Sequence, residues 1–107
     1  MRVLSDTFTV RVKRSTGTAR LRLAGRFDAA AVETLDSLIG VVRDRDVTMD
    51  LEGITSMDSA GWLGVQAFER RVHDWGKDVR LENAPEHVRR IFELTTTEQL
   101  LAEPVRL

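Results

Sequence analysis

The sequence predicts a single α/β domain built on a mixed β-sheet of about four strands, with elements in the order ββαβαβαα. Three observations predict it. Two alternating apolar/polar runs near the N-terminus are joined by a glycine-containing turn, and strand-like runs then alternate with helix-like ones. A chain of 107 residues is also large enough for one hydrophobic core and too small for two, so residues 1–107 are expected to form one domain. Strands that alternate with helices after an opening hairpin imply a sheet with a parallel portion and right-handed crossovers.

Each element has a local cause. In "TFTVRVKR", Phe8, Val10 and Val12 point one way and Thr9, Arg11 and Lys13 the other. Gly17 supplies the turn, and "ARLRLAGRF" alternates again, which makes a hairpin. Asp28 is placed to cap a helix in which Val32, Leu35, Leu38, Ile39 and Val42 recur at helical spacing. "VTMDLEGI" puts Val47, Met49 and Leu51 on one strand face. A helix from about Ser59 to Trp75 follows, with Val65, Phe68, Val72 and Trp75 on its apolar stripe and Gly76 at its C-terminal end. "DVRLEN" is a short strand. Pro85 opens a further helix carrying Val88, Ile91 and Leu94, and "TTTEQLLA" starts a last short one with a capping-box-like Thr95 to Glu98.

Composition narrows the function classes. A net charge of −1 gives no sign of a nucleic-acid-binding surface. Lys13 and Lys77 are the only lysines; an arginine bias of this kind also follows from genomic base composition. The absence of cysteine excludes disulfides, thiolate metal sites and a cysteine nucleophile. "MRVLSDTFTV" lacks the apolar segment of a signal peptide, and no run approaches the roughly 20 residues of a membrane span. A soluble, cytoplasmic protein without membrane insertion or cofactor is the expectation.

The stretch "SMDSAGWLG", Ser56 to Gly64, holds the candidate site. It lies where a strand hands over to a helix, at the carboxyl end of a parallel strand, the place where open α/β sheets meet their ligands. "GRFDAA" reaches the same rim if its strand runs parallel to the next. Asp58 is the natural N-cap of the helix, and Ser59 lies in its first turn, where unpaired N–H groups and the macrodipole favour negative charge. From spacing alone, Ser59 reads as a residue that shares the capping.

Catalytic readings lack partners. The residues around Ser59 do not form G-x-S-x-G, and His73 is about four turns down the same helix, roughly 20 Å away. His73 and His87, with no cysteine, do not resemble a zinc site, and no P-loop occurs. Gly61 and Gly64 each cost the helix about 1 kcal/mol relative to alanine. They imply either a close approach to a neighbouring backbone or a bare face for a partner. Trp62, between them, reads as core or as an exposed anchor.

Taken together, "VTMDLEGITSMDSAGWLGV", "LRLAGRFDAAAVETL" and "GKDVRLENAPEHVRRIFELTTTEQLL" resemble the STAS domains, the sulphate-transporter and anti-sigma-factor-antagonist superfamily, over residues 20–101. The resemblance implies a binding protein rather than an enzyme. In bacterial anti-sigma-factor antagonists the serine after that Asp, here Ser59, is phosphorylated by an anti-sigma factor that is also a serine kinase. Phosphorylation releases the antagonist, and a PP2C-type phosphatase restores it. The implied partner-binding positions are Asp28, Met57, Asp58, Ala60, Gly61 and Trp62 around Ser59. Trp62 stands where the family usually has Leu, and Ala60 replaces a common second serine. A similar "DSAG" pattern occurs in STAS subunits of lipid-transport ABC systems, which bind a transporter ATPase without phosphorylation.

Overall fold

The computed structural model describes residues 2–4 and 7–91. The opening hairpin forms as its alternation requires: β2 (Phe8–Ser15) and β3 (Thr18–Phe27) pair antiparallel about Gly17, whose φ of +76° suits a residue without a Cβ. Before it lies a strand absent from the sequence reading, β1 (Arg2–Leu4), antiparallel to β2. Three residues are too few to reveal a period of two. After β3 come α1 (Ala29–Asp36), β4 (Asp46–Met57), α2 (Ser59–His73) and β5 (Val79–Glu82). Residues 86–91 are helical directly after Pro85, with Val88 buried. Leu94, the last expected helix and its Thr95 cap lie outside the described residues.

The sheet runs β1-β2-β3-β4-β5, with β3, β4 and β5 parallel. The fold class is therefore the expected mixed α/β sheet, with five strands in place of about four. Both crossovers, through α1 and through α2, step in the same direction across the sheet, so the two helices pack side by side on one face. Val10, Val12, Leu21, Leu23, Val47, Met49 and Leu51 of that face meet Leu35, Val65, Phe68 and Val72 of the helices in one core.

Two elements differ in extent from the periodicity reading. The helical spacing reaches Val42, yet α1 ends at Asp36. There the Ser37 hydroxyl donates to the Thr34 carbonyl at 2.6 Å, and a series of tight turns follows. Leu38 and Val42 still enter the core from those turns. β4 instead runs longer than "VTMDLEGI". Its core-facing residues continue as Ile54 and Met57, in steps of three that would turn each to the opposite face of a regular strand. Two bulges absorb the steps. Arg22 faces Asp50 but Ala24 faces Gly53, and Gly25 faces Ile54 but Arg26 faces Ser56, so β4 carries one extra residue each time.

The face without helices is polar, and one acid on it is buried. Asp50 is 3% exposed. Its Oδ1 accepts from the Glu52 amide, turned inward by the first bulge, at 3.1 Å and from Asn83 Nδ2 at 3.3 Å; its Oδ2 accepts from Arg20 Nη2 at 3.1 Å. Burial alone would push the Asp50 carboxyl up, but the Glu52 amide, Asn83 and Arg20 together outweigh it and hold its pKa below the ordinary value.

Candidate functional site at the strand ends

Phe27 and Met57 are register partners at the ends of parallel β3 and β4, so Asp28 and Asp58 follow as neighbours on one rim. A backbone hydrogen bond from Asp58 N–H to the Phe27 carbonyl, 3.4 Å, ties the two ends together. Each aspartate then caps the helix that follows it. Asp28 Oδ1 accepts from the Ala31 amide at 3.0 Å, and Asp58 Oδ1 accepts from the Gly61 amide at 2.9 Å. The capping duty at α2 thus belongs to Asp58. Ser59 is the first helical residue, exposed, and its hydroxyl makes no hydrogen bond among the described residues. The last turn of α2 carries Arg70, Arg71 and His73, as its dipole favours.

Gly61 and Gly64 are explained by close approach. A Cβ on Gly61 would stand 2.3 Å from the Phe27 carbonyl oxygen and 2.7 Å from the Phe27 ring; one on Gly64 would stand 2.4 Å from a Val32 methyl. The first glycine lets α2 begin directly against the end of β3, and the second lets it pack on α1. Phe27 is itself fixed by an edge-to-face contact with Phe8, ring centroids 5.1 Å apart. At the other end of α2, Gly76 closes the helix in the left-handed region at φ +76°. Its N–H reaches the His73 carbonyl, and Lys77 N–H reaches that of Val72, the paired bonds of a Schellman motif.

Of the residues expected around the serine, Asp58 and Ala60 are exposed beside it and Asp28 is half-buried. Met57, Gly61 and Trp62 are buried, Trp62 at 7% exposure, so they shape the rim from beneath. One surface residue escaped the sequence reading. Leu63, 57% exposed, is the one exposed large apolar side chain among the described residues, and it lies one turn beyond Ser59 on the same helix face. Its four-residue offset from Ser59, off the Val65-Phe68-Val72 stripe, was the signal available. No group of three or more metal-ligating side chains occurs among the described residues, and no helix among them is long and apolar enough to cross a membrane.

A mixed sheet with both helices on one face, and a serine opening the helix after the central parallel strand, defines a small α/β domain whose distinctive surface is a rim of helix N-termini. The chain belongs to the STAS domain family: the family model described as "Mlab, STAS domain" matches residues 10–102. No curated protein matches its sequence. Among solved structures it is similar to an antisigma-factor antagonist STAS domain from Rhodobacter sphaeroides, at 19% identity and TM-score 0.65 over 78% of this chain and 97% of that one. It is similar to the anti-sigma factor antagonist SpoIIAA in its unphosphorylated form, at 22% identity and TM-score 0.72 over 91% and 96% of the two chains. The phosphorylated form of SpoIIAA, a Bacillus cell fate determinant, matches at 22% identity and TM-score 0.67 over 80% and 82%. At these identities the likeness is one of fold.

Proposed function

We propose that the chain is a cytoplasmic anti-sigma-factor antagonist that binds an anti-sigma factor with serine-kinase activity, and that phosphorylation of Ser59 by that kinase switches the binding off. The observation that carries this reading is the exposed Ser59 hydroxyl at the first position of α2, unbonded among the described residues and next to the capping carboxylate of Asp58. In this reading Ser59, Asp58, Ala60, half-buried Asp28 and Leu63 present the docking surface, while Met57, Gly61 and Trp62 hold it in shape. The kinase brings ATP and the catalysis, and a PP2C-type phosphatase reverses the modification. This chain acts as ligand and substrate, not as enzyme.

The electrostatics suit a switch. A phosphoryl group on Ser59 adds about −1.5 to −2 charges and three acceptor oxygens at a helix N-terminus that welcomes them. Asp58 and Asp28 oppose it. At solvent-exposed separations each such repulsion is on the order of 1 kcal/mol, too little to unfold a domain and enough to change an affinity about fivefold. Incubation with the cognate kinase and ATP is expected to label Ser59 and to leave Ser59→Ala unlabelled; labelling elsewhere, or none, removes the proposal. Ser59→Asp is expected to weaken kinase binding, and an unchanged affinity would refute the electrostatic switch.

A second reading is an accessory subunit of a lipid-transport ABC system, bound to its ATPase through the same rim without phosphorylation. It is supported by the matching family description, which names Mlab. Co-purification of an ATPase in place of a kinase, with full binding by Ser59→Ala, would establish it.

A further inference from the structure

We propose that the helix-free face of the sheet carries a second binding site, for a small soluble ligand in which a phosphate group is joined by a short chain to an ammonium group. The face holds an open depression of about 620 Å³, within the range of small-molecule sites. Its floor is low because Ala24 and Gly53 stand opposite each other in register, with no large side chain between the β3 and β4 backbones. The bulge beside Gly53 turns the Glu52 amide into Asp50 and leaves the Glu52 side chain exposed at the edge.

The walls are of opposite charge. On one side Arg11 and Arg22 are direct cross-strand partners, a like-charged pairing that opposes sheet formation unless an anion lies between them. Asp50 is the anion already beside this pair, in register with Arg22 and ion-paired to it, but it is shared with Arg20. Its Oδ2 is taken by Arg20 at 3.1 Å and stands 3.7 Å from Arg22 Nε, while Arg11 has no ion pair among the described residues. Arg22 is 61% exposed, so its fork is available. Two guanidinium groups on adjacent strands suit a phosphate, whose oxygens take both forks at once. On the other side Glu52 has no cation partner among the described residues and lines the same depression. An ammonium group a few bonds from the phosphate fits there, and Thr9 adds a hydroxyl on the arginine side, on the same strand as Arg11.

Titration of the ¹⁵N-labelled chain at constant ionic strength tests this with three probes: O-phosphoethanolamine, inorganic phosphate and ethanolamine. Saturable shifts are expected for amides near Thr9, Arg11, Arg22, Ala24, Glu52 and Gly53, at severalfold lower concentration for O-phosphoethanolamine than for phosphate. Arg11→Thr, a strand-compatible change at an exposed position, is expected to weaken both by about tenfold. Glu52→Gln is expected to abolish the preference while keeping phosphate binding. Shifts that fail to saturate, that survive Arg11→Thr, or that show no preference for the dipolar probe would overturn the proposal. Ser59→Ala is expected to bind as the wild type, so this site stands or falls apart from the phosphorylation reading.

Discussion

Gly61→Ala isolates the contact that seats the site. The added methyl gains about 1 kcal/mol of helix propensity. Against this, its Cβ would lie 2.3 Å from the Phe27 carbonyl oxygen and 2.7 Å from its ring, inside any van der Waals distance. The carbonyl belongs to a paired strand and cannot rotate away, so the start of α2 must retreat by roughly 1 Å. That motion stretches the Asp58 tie to Phe27 and costs about 2–3 kcal/mol as overpacking. The net expectation is a destabilisation of about 1–2 kcal/mol, or a fall in Tm of about 5–15 °C. Gly64→Ala meets Val32 methyls, which can shift a little, and is expected to cost less; Gly40→Ala has nothing within 4 Å and is expected to be neutral or mildly stabilising. Urea denaturation of the three variants checks the order. A Gly61→Ala protein as stable as the wild type, or less perturbed than Gly40→Ala, would refute the close-approach explanation.

Because the folded Asp50 pKa lies below its ordinary 3.8, its ionised form adds stability above that value, and the contribution is lost as pH falls through the folded pKa. Asp50→Asn is expected to destabilise the protein at pH 7 by about 1–3 kcal/mol and to flatten the acid limb of a stability–pH curve; an unchanged limb would assign acid sensitivity to other groups. Leu63→Ser is expected to leave Tm within a few degrees of the wild type and to weaken partner binding about tenfold, measured by calorimetry. Equal affinity would remove Leu63 from the docking surface.

Much of this arrangement was legible in the residues because period and caps agree. The alternation in β2 and β3, the Val47-Met49-Leu51 face and the Val65-Phe68-Val72 stripe all place their side chains in the observed core. Asp28 and Asp58 were recognisable as caps because a short acceptor precedes each helix. What escaped was non-local. Whether Trp62 is core or anchor depends on where α2 lies relative to β3, which Gly61 decides through Phe27, a residue thirty-four positions earlier. The end of α1 coincides with a side-chain contact, the Ser37 hydroxyl on the Thr34 carbonyl, that the spacing of apolar residues does not report. The open-face depression depends on strand register, which no single segment encodes.

The bulges of β4 have a further consequence, one of direction. Between Leu51 and Met57 the strand is two residues longer than the stretch of β3 beside it would need, and each addition rotates everything that follows by half a turn. Two half-turns restore the original facing, so Met57 points into the core and the next two residues emerge at the rim. A chain that lost one of the two would keep its composition, its capping aspartate and its serine, yet aim that serine at the sheet's other side. The aim of Ser59 is thus written as a count of residues upstream of it, and deleting Thr55 alone would reverse it.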